Sequence, residues 1–340
     1  ARIFLLTYAG YAAYYLTRKN LSVAKHDIHT ELGVNVEWLG TIDSVYLAAY
    51  ALGQFVSGAL GDRFGPRRIL ALGMLGSGFC ALAFGLSSWA WAFALAFSLN
   101  GLCQATGWSN NVKAMTPWFA RASRGKIMGF WSTNYAVGGL VATTVATWLL
   151  AHWGWRYAFY IPAAGVGVLG LLVFFFLVEK PQDRGLAPIL AAEPAEAGTK
   201  LPAEERKHFR RMLAHPSVWA AGLSYFCIKM IRYSILFWLP FYLTEALHFS
   251  KSESGYMSNS FEAGGILGAI VIGWLSDRFF FHSRLQIAVY ALLLLAAALW
   301  GYRAFGSEGM AANVCAMAVV GFMLFGPDSV ICGATAQDLG

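Results

Sequence analysis

Two segments decide the fold, SGALGDRFG at residues 57–65 and IGWLSDRFF at residues 272–280, and each closes a long apolar run. In both, a glycine is followed four residues later by Asp-Arg-Phe. The shared charged residues are Asp62, Arg63, Asp277 and Arg278. The two segments lie about 215 residues apart, which indicates that one structural unit is used twice along the chain.

The composition is that of a membrane protein. Of the 340 residues, 58% are hydrophobic and 13% are charged, and the mean hydropathy is +0.53. A soluble domain carries about 25% charged residues. Apolar runs of roughly 20 residues recur, each long enough to cross about 30 Å of hydrocarbon as a helix. We predict ten membrane-spanning helices, at residues 2–26, 38–61, 67–87, 90–118, 124–151, 155–178, 216–246, 253–276, 284–303 and 309–333.

The formal net charge of +7 is concentrated in alternate connections between the predicted helices. The cations lie at Arg63, Arg67 and Arg68, at Arg121, Arg124 and Lys126, in the 179–215 segment, and at Arg278 and Arg284. An excess of lysine and arginine in alternate loops is the positive-inside pattern. We therefore expect the N-terminus and the 179–215 segment to be cytoplasmic, and we expect no nucleic-acid partner.

One long polar segment divides the chain. It is rich in proline and charge, as is typical of a linker. We predict an N-terminal six-helix half at 1–178, a cytoplasmic linker at 179–215, and a C-terminal half at 216–340 that holds its first four helices. At the repeat shift of about 215 residues, position 340 maps near position 125, so a complete second half would need two further helices.

Two apolar segments carry cations at matching positions. The repeated sets are Tyr11, Tyr15 and Arg18, and Tyr225, Lys229 and Arg232. Their spacing places each set on one helical face. A cation inside the membrane costs about 2.5 to 3.5 kcal/mol, which is tolerable where it faces a water-filled cavity and meets an anion. Arginine suits phosphate, because its planar fork donates two parallel hydrogen bonds. Internal repeats around a central site are typical of secondary transporters.

Structural roles remain open for these cations. Arg18 and Lys19 could anchor a helix end at the interface, and Lys19 points about 100° away from its neighbour. Arg232 could form an ion pair with Glu262, Asp43 or Asp328. A pair between Glu262 and Lys19 is a further candidate.

Seven segments together resemble a known family, the organophosphate:phosphate antiporters of the major facilitator superfamily. This family includes glycerol-3-phosphate and hexose-6-phosphate transporters and the animal glucose-6-phosphate exchangers. The segments are GYAAYYLTRKN (10–20), AYALGQFVSGALGDRFGPRR (49–68), LNGLCQATGW (99–108), RGKIMGFWSTNYAVGG (124–139), IRYSILFW (231–238), FEAGG (261–265) and GFMLFGP (321–327).

The resemblance implies an all-α membrane protein with the major facilitator fold, built from two pseudo-symmetric six-helix halves. It implies exchange of an organic phosphate ester, glycerol-3-phosphate or a sugar phosphate, for inorganic phosphate by alternating access. The lipid bilayer would be its other partner, with no cofactor or metal, no enzymatic activity and a monomeric state. We expect a multi-pass protein of the bacterial inner (plasma) membrane.

The resemblance also implies roles for individual residues. Arg18 and Arg232 match the two arginines that bind phosphate in the family. Tyr11, Tyr15 and Tyr50 would line the same cavity. Asp62 and Arg63 match the gating loop, with Asp277 and Arg278 as their repeat counterparts.

Two positions depart from the family pattern. Glycerol-phosphate and hexose-phosphate members carry a histidine in helix five where this chain has Tyr135, and a lysine in helix two where it has Gln54. The site has therefore lost positive charge, part of which Lys229 would restore. Asn134, beside Tyr135, is a further candidate contact for the substrate.

Two other functions fit the same residues. One family member is a hexose-phosphate receptor, so the chain could be a membrane sensor that binds a sugar phosphate without transporting it. It could also be a proton-coupled organic anion carrier, with Glu262, Asp43 or Asp328 as the proton site.

An enzyme is disfavoured by the remaining motifs. GVGVLG at residues 165–170 fits a dinucleotide fingerprint but lies within a predicted helix rather than after a strand. The five cysteines lie in apolar runs without the spacing of metal ligands, so we interpret them as packing residues.

Overall fold

The computed structural model describes residues 2–119, 127–187, 216–279 and 284–330, and every regular element in these ranges is helical. Several sequence predictions therefore lie outside the described residues: those for Arg121, Arg124, Lys126 and Cys332, and for residues 188–215 of the linker.

Twelve helices carry labels below. They are α1 (Arg2–Tyr14), α2 (Asn20–Leu32), α3 (Val36–Phe64), α4 (Pro66–Leu86), α5 (Ala90–Gln104), α6 (Gly107–Met115), α7 (Asn134–Trp153), α8 (Tyr157–Phe176), α9 (Pro216–Glu245), α10 (Lys251–Phe279), α11 (Arg284–Phe305) and α12 (Met310–Val330). Short 3₁₀ turns lie at Tyr15–Thr17, Thr116–Trp118 and Pro181–Arg184, and residues 127–131 are also helical.

The ten predicted spans correspond to these helices, but three spans are interrupted. The first consists of α1, the 3₁₀ turn Tyr15–Thr17 and α2, and the fourth consists of α5 and α6. The fifth consists of the helical residues 127–131, a turn at residues 132–133 and α7. Six described helices are long and apolar enough to cross a membrane: Pro66–Leu86, Ile127–Trp153, Tyr157–Phe176, Val218–Glu245, Gln286–Phe305 and Met310–Asp328.

The repeated Asp-Arg-Phe motif ends α3 in a tight turn. Gly65 has φ +86°, a backbone conformation that side chains with a Cβ rarely adopt. Pro66 then begins α4, where its missing N–H costs no helical hydrogen bond. The sequence therefore fixes the short connection that presents Asp62 and Arg63.

The chain forms two compact units. The first comprises Ala1–Ala191 with Phe237–Asn259, and the second comprises Ala192–Leu236 with Ser260–Gly340. The end of α9 and the start of α10 thus belong to the first unit, where Asn259 Nδ2 donates to Thr144 Oγ1 at 2.9 Å. The division at 178 and 215 stays a prediction.

Glycines permit close helix packing in each unit. In the first, a Cβ at Gly53 would lie 2.6 Å from the Ala105 Cβ, and one at Gly101 would lie 2.5 Å from the Tyr46 carbonyl oxygen. These contacts hold α3 against α5. In the second unit, Gly264 and Gly268 of α10 lie against the backbone of α12 in the same way. Small residues at such crossings let helix backbones approach closely.

Candidate functional site

Arg18 lies at the interruption of the first span. Its backbone N–H and that of Lys19 both donate to the Tyr15 carbonyl oxygen, at 3.1 and 2.9 Å. The Arg18 residue is only 2% exposed. Discontinuous membrane helices are a frequent setting for transporter binding sites.

Aromatic rings and one amide hold the Arg18 guanidinium. The guanidinium carbon lies 4.7 Å from the centre of the Tyr15 ring and 4.9 Å from that of Tyr50. Nε donates to Gln104 Oε1 at 2.8 Å. Among the described residues, nothing accepts a hydrogen bond from the buried Nη2. The structure thus brings together three predicted site residues, Arg18, Tyr15 and Tyr50.

Gln104 is the residue that sequence analysis missed. Its Oε1 also accepts from the Tyr46 hydroxyl at 2.9 Å, while its Nε2 donates to the Tyr14 carbonyl oxygen at 3.1 Å and to Thr17 Oγ1 at 3.0 Å. Its amide therefore joins the interrupted span to α3 and α5. The sequence feature that could have revealed Gln104 is an amide side chain within the apolar segment LNGLCQATGW.

Tyr11 and Tyr135 lie beside this cluster, against an aromatic core. The Tyr11 ring centre is 6.2 Å from that of Tyr15 and 5.4 Å from that of Trp108. Half-buried Tyr135 packs against the same core, which includes Trp131. Their roles toward a substrate stay predictions.

Asn134 is fully buried at the start of α7. Neither its Oδ1 nor its Nδ2 has a hydrogen-bond partner among the described residues. A buried amide without partners costs about 1 to 3 kcal/mol for each lost hydrogen bond, so this side chain has an unused capacity for a polar ligand.

The second arginine lies in the other unit. Arg232 is buried on α9, with its Nη1 3.0 Å from Asp328 Oδ2 and its guanidinium 4.3 Å from the centre of the Phe325 ring. Lys229 Nζ lies 2.9 Å from Asp328 Oδ1 and 4.7 Å from the Tyr225 ring centre. Of the carboxylates considered for Arg232, the structure places Asp328 against it.

Asp43 has a different partner. It forms a buried ion pair with Lys25 of α2, and Lys25 Nζ also donates to the Phe237 carbonyl oxygen at 2.9 Å. The Trp238 ring centre lies 3.8 Å from the same Nζ. Asp43 is therefore the ion-pair partner of Lys25 within the first unit.

Lys19 and Glu262 are both buried, with Lys19 in the turn before α2 and Glu262 on α10. They belong to different units, and their pairing stays a prediction.

The predicted gating residues have partners that the repeat does not reveal. Asp62 Oδ1 lies 2.5 Å from Lys113 Nζ, which also donates to the Gly58 carbonyl oxygen at 2.7 Å. This contact joins the end of α3 to α6. The Arg63 guanidinium lies 5.2 Å from the Phe64 ring centre, and that of Arg278 lies 5.9 Å from the Trp274 ring centre. The Asp277 side chain lies outside the described residues.

Within the described ranges, no three His, Cys, Asp or Glu side chains are grouped so that they could hold a metal ion. Cys80, Cys103, Cys227 and Cys315 are free thiols.

Comparison with known proteins identifies the family. The model of the Major Facilitator Superfamily matches residues 7–339. The human glucose-6-phosphate exchanger SLC37A2 is 32% identical over 397 residues, which cover 99% of this chain and 78% of the relative. Human sugar phosphate exchanger 3 is 30% identical over 393 residues, covering 99% and 79% of the two chains.

A solved structure supports the fold alone. The crystal structure of a bacterial homologue of the human lysosomal transporter Spinster superposes with a TM-score of 0.78 at 17% identity, and the match covers 97% of this chain and 72% of that one. With a family model that spans nearly its whole length, and with relatives at this identity, the chain is a multi-pass integral membrane protein of the major facilitator superfamily and belongs to its organophosphate:phosphate antiporters.

Proposed function

We propose that the protein exchanges an organic phosphate ester, glycerol-3-phosphate or a sugar phosphate, for inorganic phosphate by alternating access. The observation that carries this proposal is Arg18, a buried guanidinium in an interrupted membrane span with an Nη2 donor that no described residue accepts. Burial of a cation is costly unless an anion compensates it. A phosphoryl group supplies that anion.

The surroundings of Arg18 suit a phosphoryl ligand. Gln104 holds Nε, so the guanidinium plane is fixed while Nη2 remains for phosphate oxygens. The rings of Tyr15 and Tyr50 lie against it in cation–π contact. A guanidinium held in this way favours phosphate, because two parallel charge-assisted hydrogen bonds to phosphate oxygens are both strong and directional.

The other part of the substrate is assigned to neutral groups. We assign Asn134 to the hydroxyl groups of the ester, since its amide can both donate and accept and neither atom has a partner among the described residues.

Arg232 and Lys229 of the second unit are the further phosphate ligands in this proposal. The names of the two human relatives, a glucose-6-phosphate exchanger and a sugar phosphate exchanger, support the same substrate class.

Alternating access needs contacts that break and re-form. We assign this role to the loop at Asp62 and Arg63, with Asp277 and Arg278 as its repeat counterpart. The Asp62 side chain is 71% exposed and contacts Lys113, so this pair can separate at small cost.

Exchange in proteoliposomes tests the function. The full-length protein is reconstituted into vesicles loaded with phosphate, and uptake of labelled glycerol-3-phosphate and glucose-6-phosphate is measured with and without internal phosphate. We expect uptake only with internal phosphate. Arg18→Ala and Arg232→Ala should lose nearly all uptake, whereas Arg303→Ala, which changes an exposed arginine on α11, should retain it. Near-normal uptake by either of the first two variants would refute the proposal.

The same assay separates the other two functions. A sensor would bind a phosphate ester yet exchange it poorly. A proton-coupled carrier would lose uptake when a protonophore is added and would not respond to internal phosphate.

A further inference from the structure

Asp328 is a carboxylate that occupies a predicted phosphate site. It lies on α12, with Oδ2 3.0 Å from Arg232 Nη1 and 3.0 Å from Lys229 Nζ, while Oδ1 lies 2.9 Å from the same lysine nitrogen. Its side chain is 5% exposed. One carboxylate thus contacts both Lys229 and Arg232, in the manner expected of a phosphate oxygen pair.

The backbone that carries the carboxylate is held in place by close helix packing. Asp328 follows Pro327 in α12, and Phe325 of the same helix lies under the Arg232 guanidinium and 5.4 Å from the Phe261 ring centre. Gly264 and Gly268 bring α10 against the backbone of α12. Because Asp328 is tethered at this position, its effective concentration at the two cations is high, and binding costs it little entropy.

Charge makes the carboxylate a replaceable ligand. Asp328 offers one negative charge and two oxygens, whereas a phosphate monoester at pH 7 carries about 1.5 to 2 charges and three oxygens. Lys229 and Arg232 carry two formal positive charges, and Asp328 supplies one negative charge. A phosphate dianion can therefore displace this carboxylate, while a monocarboxylate ligand would gain little by doing so.

We propose that Asp328 is a built-in competitor that occupies the Lys229 and Arg232 site between substrates and is displaced by the incoming phosphoryl group. This inference rests on the proposed function and deepens it. The carboxylate selects for dianions, and it promotes release of the substrate by returning to the cations.

Phosphate binding to the purified full-length protein tests the competition. Asp328→Asn removes the competing charge. The side chain at position 328 then loses its charge-assisted hydrogen bonds to the two cations, while phosphate keeps its own. Inorganic phosphate should therefore bind at least about tenfold more tightly. In exchange assays, KM should fall and kcat should fall with it, because release slows. Asp328→Glu keeps the charge and should stay near the wild type. Glu245→Gln, which removes a carboxylate paired with His26 in the first unit, should leave the phosphate Kd unchanged.

The direction in which phosphate affinity changes in Asp328→Asn distinguishes a competitor from a structural ion pair. A purely structural ion pair would give equal or weaker phosphate binding in Asp328→Asn, and that result would overturn the inference. If this variant does not fold, Lys229→Met is compared with the double variant Lys229→Met/Asp328→Asn. The double variant should bind phosphate about tenfold more tightly than the single one, and equal or weaker binding again overturns the inference.

The same measurements distinguish two kinds of failure. Normal phosphate exchange by the wild type, loss of exchange in Arg232→Ala and an unchanged Kd in Asp328→Asn would leave the proposed function intact and reject the competitor. A wild type that neither binds nor exchanges phosphate would reject both.

Discussion

Single residues show how the chain keeps cations inside a membrane protein. Arg18 has a neutral amide and aromatic rings around it, whereas Lys25 and Arg232 each contact a carboxylate. A cation that already has an anionic partner is electrically compensated, and one held by neutral groups is not. This contrast is the reason to place the phosphate first at Arg18.

Gln104 is predicted to position Arg18 rather than to bind substrate itself. Gln104→Leu removes the acceptor of both the Arg18 Nε and the Tyr46 hydroxyl. The guanidinium then turns more freely, so KM for phosphate should rise about tenfold with a smaller change in kcat. The measurement is exchange kinetics in proteoliposomes.

A matched control for this prediction lies on the next helix. Asn111 is a buried amide whose Nδ2 donates to the Gly107 carbonyl oxygen of its own helix. Asn111→Leu should keep the wild-type KM. An equal rise of KM in both variants would show that general loss of packing, and not the orientation of Arg18, is responsible.

The buried pair of Lys25 and Asp43 gives a prediction about stability. Asp43→Asn leaves Lys25 as an uncompensated buried charge, which should lower the stability of the protein by about 3 to 5 kcal/mol. The double variant Lys25→Met/Asp43→Leu removes both charges and should be close to the wild type or more stable. Thermal unfolding of the protein in detergent measures both. A double variant as unstable as Asp43→Asn would contradict this account.

At the scale of elements, the site depends on two interrupted spans and one close helix crossing. The turn Tyr15–Thr17 ends α1 and leads into the bend that carries Arg18. The crossing of α3 and α5 at Gly101 brings Tyr46 and Tyr50 toward Gln104 and Arg18. Helix packing therefore brings side chains that are far apart in sequence into contact with one guanidinium.

Gly101→Val should disturb both the packing and the site. The new side chain would start 2.5 Å from the Tyr46 carbonyl oxygen, so α3 must move away from α5. Overpacking of this kind costs about 1 to 3 kcal/mol, and KM for phosphate should rise because Tyr46 and Tyr50 shift with α3. Thermal unfolding and exchange kinetics measure the two effects.

Gly165 provides the opposite case on α8. A Cβ there would meet no atom within 4 Å. Gly165→Ala should therefore raise helix stability by about 1 kcal/mol and leave KM unchanged. A loss of stability in this variant equal to that in Gly101→Val would argue against the packing explanation.

At the scale of the whole molecule, the distribution of charge predicts the orientation in the membrane. We propose that the protein is a monomer in the bacterial inner membrane, with its N-terminus and the 179–215 linker in the cytoplasm. Gln182 lies in the linker and Glu37 at the start of α3, and both are exposed.

Cysteine labelling of membrane vesicles measures this orientation. In a background without native cysteines, Gln182→Cys should react with an impermeant thiol reagent only from the cytoplasmic side, and Glu37→Cys only from the opposite side. The reverse pattern would invert the topology, and labelling of both from one side would contradict the span count between them.

Sequence alone determined the membrane class, the helical fold, the repeat and the family, because hydropathy, charge in alternate loops and motif spacing are properties of the chain itself. It also singled out Arg18 and Arg232 as candidate phosphate ligands, because a cation in an apolar run is conspicuous, and that role stays a prediction. Tertiary structure decided their partners. Gln104 at Arg18, Asp328 at Arg232 and Lys113 at Asp62 come from other helices, and no spacing along the chain encodes which side chains meet when helices pack. The break at Tyr15–Thr17 likewise escaped prediction, since residues 11–20 hold no glycine or proline that would mark the end of a helix.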